Sequence, residues 1–283
     1  MEKQAIGHRI LVDFSCDILQ EIRLIHAVSE SAWQVVIPER LVPRFFLLKR
    51  EFGMNFQIGD VGDISFKSVS QIHHMEPVTA IGDISKPLIF PKGISAKCRT
   101  FWKARRPHRF TFAGLLNADR MTALSRWVKF NTGSDLPYLE LKETLRWLPC
   151  RIRNLFPARP KCLEWKAGEF QLKSSDRGRK FPGKTWDEQY YKFLGESQFV
   201  LCPKGDCVWS YRFFEAILCG AIPIIEENCP AFEGFQFKSF SDPAETLHWS
   251  EEIAEANYKL CVERLTVEDG EIENALNRLL NRG

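Results

Sequence analysis

One stretch near the carboxyl end limits the possible folds most strongly: SQFVLCPKGDCVWSYRFFEAILCGAIPIIEENCPAF, residues 197–232. Its first apolar run, 198–202, consists of strand-forming residues without alternation, which is typical of a parallel strand buried on both faces. Ser210 is a favourable helix N-cap, and Gly220 is placed to end the helix that follows. Residues 221–225 then begin a second strand. This order of strand, loop, helix and strand predicts a parallel α/β sheet.

The same stretch predicts a binding site. In an open α/β sheet, ligands bind at the carboxyl edge of the strands, where this helix begins. The unpaired N–H groups and the dipole at that helix end favour an anion such as phosphate, and Lys204 and Arg212 add positive charge. Glu215 lies on the same helix face as Arg212 and could accept hydrogen bonds from a ribose diol. A simple surface ion pair between Arg212 and Glu215 explains the spacing equally well.

Other α/β units are predicted along the chain. Residues 8–14 and 33–38 read as strands, and 15–32 as the helix between them with Ser15 as its N-cap, which together make a βαβ unit. Residues 86–93, rich in Pro and Gly, are predicted to cross between two domains. Further predicted elements are strands at 108–115 and 162–168, helices at 119–130 and 185–197, a basic loop at 173–184 and helices from about 243.

Composition excludes several classes of protein. A chain of 283 residues with 45% hydrophobic residues is globular and large enough for two modest domains. The net charge of +3 does not demand nucleic acid, and the basic segments 103–109 and 173–184 are typical of solvated loops. Nine Cys without C-x-x-C spacing predict neither a zinc site nor a disulfide scaffold, and we expect them to be reduced.

The sequence also bears on location. No segment reaches the ~20 apolar residues of a membrane span, and the N-terminus does not resemble a signal peptide. We therefore expect a soluble, cytoplasmic protein. An anchor outside these residues would leave the pattern unchanged.

Three segments resemble a known family. SQFVLCPKG followed by SYRFFEAILCGAIPII resembles the C-terminal signature of exostosin-like, GT47-type glycosyltransferases. KPLIFPKG at 86–93 resembles the crossover of that family, and RFTFAGLLNADR at 109–120 resembles its strand with a following Gly and Arg. The three motifs stand in the family's order. The N-terminal third carries no motif of the family, so short soluble relatives of viral or bacterial type are the nearer comparison.

The resemblance implies an α/β GT-B fold, in which two Rossmann-like domains face each other across a cleft. We expect residues 1–90 to bind the acceptor, residues 91–250 to bind a nucleotide sugar, and the helices of residues 251–283 to return to the N-terminal domain. The implied activity inverts the anomeric centre of a UDP-sugar, such as UDP-xylose, UDP-GlcNAc or UDP-glucuronate. It transfers the sugar to a hydroxyl of a glycan acceptor.

The resemblance also assigns residues to the donor. Ser210 and Arg212 would hold the diphosphate, Tyr211 would lie between them in the donor site, and Glu215 would hold the ribose. Lys204 stands where the family commonly has an arginine, so the charge is kept but the bidentate fork is lost.

Four more positions come from the other motifs and from a predicted strand. Gly114 would allow close approach of the pyrophosphate, and Arg120 would contribute charge. Glu164 and Trp165 are candidates for the base pocket, and they are explained equally well as a surface glutamate and a core tryptophan.

Inversion requires a general base near the acceptor and charge stabilisation for the leaving diphosphate, and Arg212 suits the second role. We expect the base at the carboxyl end of a strand in the N-terminal domain. The candidates are Asp13 and Asp17 first, then His73, His74, Asp60 and Asp63, and each is also explained as a capping or surface residue. No D-x-D motif occurs, so we expect no essential metal and no other cofactor.

Two other functions fit the sequence. The chain could be a non-catalytic module that binds a nucleotide or a glycan. Less simply, it could bind RNA through residues 103–109 and 173–184, although the charge favours no nucleic-acid partner. The oligomeric state has no signal in the sequence.

Overall fold

The computed structural model describes residues 7–73, 75–137, 163–205, 207–268 and 270–281. The strands are β1 Arg9–Leu11, β2 Gln34–Ile37, β3 Gln57–Ile58, β4 Ile64–Ser65, β5 Ser70–His73, β6 Val78–Ile81, β7 Ile84–Lys86, β8 His108–Gly114, β9 Leu163–Ala167, β10 Phe170–Ser174, β11 Ser197–Cys202, β12 Ile222–Ile225 and β13 Lys238–Ser239. The helices are α1 Leu19–Ser29, α2 Val42–Phe52, α3 Phe66–Val69, α4 Lys92–Arg99, α5 Ala118–Thr132, α6 Glu188–Gly195, α7 Tyr211–Leu218, α8 Glu251–Leu265 and α9 Glu271–Leu280.

These elements form two α/β units. The first unit holds β1 to β7 and the second holds β8 to β13. Both contain a parallel sheet, as the strand and helix patterns predict. Across the described ranges, no helix combines the length and the apolar character that crossing a membrane requires.

The first unit is built on a four-stranded sheet in the order β3-β2-β1-β4, with every pairing parallel. The predicted βαβ unit is therefore confirmed, but its helix begins later than expected. Ser15 is not the N-cap. Cys16 has a φ of +57°, which an α-helix does not accommodate, and Ile18 takes the N-cap position instead. The carboxylate of Glu21 accepts a hydrogen bond from the Ile18 N–H at 3.1 Å.

A three-stranded antiparallel sheet, β5-β6-β7, completes the first unit, and α9 packs against it. The indole N–H of Trp33 donates to Asn277 on α9 at 3.2 Å. The N–H of Phe90 donates to the carbonyl of Leu265 at the end of α8. The C-terminal helices thus return to the first unit, as the resemblance implies.

The second unit has a six-stranded sheet in the order β13-β12-β11-β8-β10-β9, parallel except for β9 against β10. The predicted elements β11, α7 and β12 are confirmed. Gly220 ends α7 with a φ of +76°, and a Cβ there would lie 2.5 Å from the ring of Trp102. The strand β10 is not predicted from the sequence and takes the start of the expected loop at 173–184.

Two apolar clusters form the core. One lies on a single face of the second sheet, where Trp127 of α5 packs against Phe110 and Phe170. The other is continuous through both units, from Ile10 on β1 to Phe213 on α7. The two units therefore share a core and are not separate globules joined by a linker.

Candidate functional site

The candidate site lies where the strand order of the second sheet reverses. The chain passes from β10, on one side of β8, to β11 on the other side, so the carboxyl ends of β8 and β11 form a topological switch point. Helices α5 and α7 follow these two strands. A cavity of about 520 Å³ opens here. Seven of the predicted donor residues line it: Gly114, Arg120, Glu164, Ser210, Tyr211, Arg212 and Glu215.

Arg212 is held in one position at the start of α7. It is 8% exposed, its Nε donates to the carbonyl oxygen of Ala113 at 2.7 Å, and its guanidinium lies 4.3 Å from the ring centroid of Phe112. Its Nη1 has no hydrogen-bond partner among the described residues. A buried guanidinium with an unsatisfied donor beside a cavity is suited to bind an anion.

Gly114 makes this position of Arg212 possible. Its φ is +135°, and a Cβ built there would overlap Nη2 of Arg212. The expected reason for the glycine is close approach of the pyrophosphate. In the structure, the group that approaches is the side chain of Arg212.

Glu215 is bound by two tyrosines. It is 6% exposed, and its Oε1 and Oε2 accept hydrogen bonds from the hydroxyls of Tyr191 at 2.7 Å and Tyr190 at 2.8 Å. Burial raises the pKa of both phenols well above the ordinary value, so both remain protonated donors. Each carboxylate oxygen can accept two hydrogen bonds, which leaves acceptor capacity for a diol.

The alternative of a surface ion pair is wrong. Within the described part of the chain, Arg212 and Glu215 form no ion pair with each other, and both are buried. The reason is that α7 is buried over almost its whole length, so neither side chain lies on a solvated face.

Ser210 and Tyr211 both line the cavity, and each carries a side-chain hydroxyl group. Ser210 occupies the N-cap position of α7 with extended backbone, but its side chain makes no capping hydrogen bond. The hydroxyl of Tyr211 is buried and has no partner among the residues that the structure describes. Arg120, at the start of α5, donates from Nη1 to the carbonyl of Leu115 at 3.1 Å.

Two predicted donor residues lie outside the cavity lining, and a third is exposed. Lys204 does not line the cavity, and its Nζ is 3.6 Å from Oε2 of Glu227. Trp165 does not line it either and packs against Phe170 of the second core cluster. Glu164 lines the cavity with a side chain that is 76% exposed.

Comparison with known proteins agrees with the resemblance. Residues 103–229, less than half of the chain, match the model of the Exostosin GT47 domain. The match makes this segment similar to an exostosin GT47 domain. It contains β8, β11 and α7, and with them Gly114, Arg212 and Glu215.

Beyond this family-model match, the comparisons add little. No curated protein matches the sequence of the chain. A solved structure, the crystal structure of the GtfA/B complex, is similar at 11% identity with a TM-score of 0.31. That match covers 97% of this chain and 57% of the other, so the chain spans little more than half of its length.

The predicted catalytic bases lie outside residues 103–229, the segment that matches the family model, and do not line the cavity. Asp13, at the carboxyl end of β1, accepts hydrogen bonds from the hydroxyl of Ser65 and from the N–H of Lys67 at 3.0 Å. Asp17 forms an ion pair with Arg44 at 2.7 Å. Hydrogen bonds from Ser15 and Arg44 lower the pKa of its carboxyl, which makes Asp17 a weaker base.

The other base candidates that the structure describes do not line the cavity either. His73 lies in β5, with its Nε2 3.2 Å from Nε2 of Gln71. Asp63 accepts a hydrogen bond from the N–H of Arg9 at 2.7 Å, and Asp60 is exposed. His74 lies outside the described residues.

Several cavity residues are missed by the sequence patterns. Arg23 of α1 is contributed by the first unit, and Tyr190 and Tyr191 come from α6. The only signal for Arg23 is a cation among the apolar residues of a buried helix. Tyr190 appears in the sequence merely as part of an apolar helix face.

The cavity has an excess of cations. Its positively charged lining residues are Arg23, Arg120, Lys173, Arg177, Arg179, Lys184 and Arg212, and its acidic ones are Glu164, Asp187 and Glu215. This balance favours a ligand with several negative charges. Among the described residues, no three His, Cys, Asp or Glu side chains are grouped so that they could hold a metal ion.

Proposed function

We propose that the chain is an inverting glycosyltransferase that transfers a sugar from a UDP-sugar to a hydroxyl of a glycan acceptor. The observation that carries the proposal is the convergence of Arg212 and Glu215 on one cavity at the switch point of a GT47 domain. UDP-xylose, UDP-GlcNAc and UDP-glucuronate are the proposed donors, and a cytoplasmic location is part of the proposal.

The diphosphate would bind at the start of α7. Arg212 presents an unsatisfied N–H group there, and Ser210 presents a hydroxyl that caps nothing. The helix dipole and the cationic lining add to the attraction. As the glycosidic bond breaks, the bonding electrons move to the leaving diphosphate, and a cation that is already in position stabilises this charge without reorganisation.

The ribose would bind to Glu215. The two tyrosine hydroxyls orient the carboxylate and satisfy one acceptor position on each oxygen. The remaining lone pairs would accept hydrogen bonds from the 2′- and 3′-hydroxyls. In this arrangement Glu215 is a binding residue and takes no part in the bond-breaking step.

The general base would come from the first unit. Asp13 is the first candidate because it lies at the carboxyl end of β1, where β1 adjoins β4. Asp17 and His73 are retained as the alternatives. The proposed reaction uses no essential metal.

The proposal is tested by nucleotide binding and by turnover. We expect UDP to bind in isothermal calorimetry, and we expect sugar release or transfer with at least one member of a panel of UDP- and GDP-sugars. Glu215→Gln should weaken UDP binding roughly ten- to hundred-fold, because hydrogen bonds to charged groups contribute ~1.5–3 kcal/mol. Glu245→Gln, at an exposed carboxylate outside the cavity lining, is the matched control and should bind UDP normally.

The outcomes separate the rival functions. UDP binding without turnover of any donor would support the non-catalytic nucleotide-binding module. Absence of binding by both UDP and GDP, together with absence of turnover, would refute the proposal. Unchanged UDP affinity in Glu215→Gln would refute the ribose assignment alone.

A further inference from the structure

A buried series of hydrogen bonds connects the first unit to the candidate donor site. Arg23 of α1 is 2% exposed, and its Nη2 donates to the hydroxyl of Tyr191 at 2.9 Å. The Tyr191 hydroxyl donates in turn to Oε1 of Glu215 at 2.7 Å. Nη1 of Arg23 donates to the carbonyl of Thr185 at 3.0 Å. Arg23 thus joins the two units at the carboxylate proposed to bind the donor.

The positive charge of Arg23 and the negative charge of Glu215, at the two ends of this series of hydrogen bonds, compensate each other. Burying an isolated guanidinium or carboxylate is costly, and within the described ranges neither Arg23 nor Glu215 has a direct ion-pair partner. The neutral phenol of Tyr191 lies between them. A hydrogen bond from Arg23 polarises this phenol and strengthens its donation to Glu215.

The ring of Tyr191 is also held from the first unit. Trp186 stacks on it with centroids 4.3 Å apart and planes at 14°. Phe52 of α2, in the first unit, meets the ring of Trp186 edge-on, with ring centroids 4.7 Å apart. The position of the Tyr191 hydroxyl therefore depends on both units.

Tyr190 provides an internal comparison. Its hydroxyl donates to Oε2 of the same carboxylate at 2.8 Å. It receives no hydrogen bond from Arg23, whose Nη1 and Nη2 donate to Thr185 and Tyr191 and whose Nε has no hydrogen-bond partner among the described residues. Removing either phenol hydroxyl removes one hydrogen bond from Glu215, but only Tyr191→Phe breaks the connection to the first unit.

We propose that Arg23 is a positioning residue for the donor: through Tyr191 it orients the Glu215 carboxylate, so that nucleotide binding depends on the association of the two units. This inference rests on the proposed function. Arg23 itself acts through Tyr191 and does not need to touch the nucleotide.

The test is a pair of double-mutant cycles on UDP affinity, measured by calorimetry with the full chain. Arg23→Met should weaken UDP binding about tenfold or more, the effect of losing one charge-assisted hydrogen bond. In a Tyr191→Phe background the same substitution should change UDP affinity less than about twofold, because the connection is already broken. In a Tyr190→Phe background the full tenfold loss should persist.

The two backgrounds distinguish positioning from general destabilisation. A merely structural role of Arg23 predicts the same loss of UDP affinity in both backgrounds, and that result would overturn the inference. So would normal UDP affinity in Arg23→Met. If Arg23→Met gives no cooperative thermal transition, Arg23→Lys replaces it, since it keeps the charge and loses the two-pronged geometry. Unchanged UDP affinity in Arg23→Lys would then count against the inference.

Failure of the proposed function gives a different result. If the wild-type chain binds neither UDP nor GDP, the proposed function is refuted and the positioning role falls with it. If the wild-type chain binds UDP and the cycles show no difference between backgrounds, only the role of Arg23 is refuted.

Discussion

At the scale of single residues, the structure gives Arg212 a packing role in addition to the anion-binding role that the sequence predicts. Arg212 contributes both to the cavity and to the packing beneath it, because its Nε satisfies the Ala113 carbonyl and its guanidinium covers Phe112. We therefore expect a substitution to affect stability as well as the proposed chemistry. The two effects can be separated, because only the second depends on the charge that develops in the transition state.

We predict that kcat falls in the order wild type, Arg212→Lys, Arg212→Ala. The lysine keeps a charge without the planar fork, and the alanine loses both. The drop for alanine should be about 10²-fold or more, as for removal of one transition-state donor, with a smaller change in donor KM. Its stability should fall by about 1–3 kcal/mol, because the Ala113 carbonyl loses its partner. Steady-state kinetics and urea unfolding on both variants check this, and near-normal kcat in Arg212→Ala would exclude the phosphate role.

Gly114 provides a second prediction at this scale. Gly114→Ala should lower UDP affinity roughly ten- to hundred-fold, because the new Cβ displaces the Arg212 guanidinium and hydrogen bonds to charged groups contribute ~1.5–3 kcal/mol. Gly133→Ala is the matched control: Gly133 also has a positive φ, +68°, but nothing lies within 4 Å of its Cβ position. Both variants should lose about 1–2 kcal/mol of stability from left-handed strain. Equal UDP affinities in the two would show that the Gly114 contact with Arg212 is unimportant.

At the scale of elements, helix α1 carries two titratable groups into the interior. Arg23 and His26 are 2% and 1% exposed. Burial, with a further contribution from Arg23, lowers the pKa of His26 to about 3, although Oε1 of Glu30 lies 3.9 Å from its Nε2. The carboxylate is at the limit of ion-pair distance and does not offset the loss of hydration. His26 is therefore neutral in the folded protein at pH 7.

This pKa makes folding sensitive to mild acid. Between pH 6.5 and about 3, the unfolded chain binds a proton at His26 that the folded protein does not, so stability falls as the pH falls. The loss should approach ~1.4 kcal/mol per pH unit across this window. Urea unfolding at pH 7, 6 and 5 should show this slope in the wild type and a flatter one in His26→Gln. Identical slopes in the two proteins would mean that other groups cause the acid sensitivity.

At the scale of the whole molecule, the continuous core predicts cooperative unfolding. Apolar side chains of both units, from Ile10 to Phe213, belong to one buried cluster. We expect a single calorimetric transition whose van't Hoff and calorimetric enthalpies agree. Two resolved transitions would show that the units unfold independently and that their contact is weaker than the shared core implies.

The second prediction at this scale concerns metal. Transfer should persist in EDTA, because the sequence lacks a D-x-D motif and the proposed site meets the diphosphate charge with Arg212, Ser210 and the start of α7. The assay compares initial rates with EDTA and with added Mg²⁺ or Mn²⁺. Loss of activity on chelation, with recovery on adding either ion, would contradict the prediction and point to a metal site built from scattered carboxylates.

The sequence by itself determined the local elements. The strand–loop–helix–strand unit at 197–225, the glycines at its turns and the motif around Arg212 and Glu215 could be read from residues close together in the chain. Hydrophobic periodicity, caps and left-handed turns are set by near neighbours, so they leave a signal in a short window. The error in predicting the start of α1 is also local. Ser15 resembles an N-cap, but the positive φ of Cys16 makes the helix begin after Ile18.

Only the tertiary structure decided which side chains meet. The Tyr191 contact with Glu215 joins residues 24 positions apart, and its contact with Arg23 joins residues 168 positions apart, distances at which no periodicity persists. The direction of Trp165 was likewise undecidable from the sequence. It depends on the register of β9 with β10, and a shift by one residue moves every side chain to the opposite face. The sequence therefore specified where Glu215 stands, and the packing of the two units specified which side chains donate hydrogen bonds to its carboxylate.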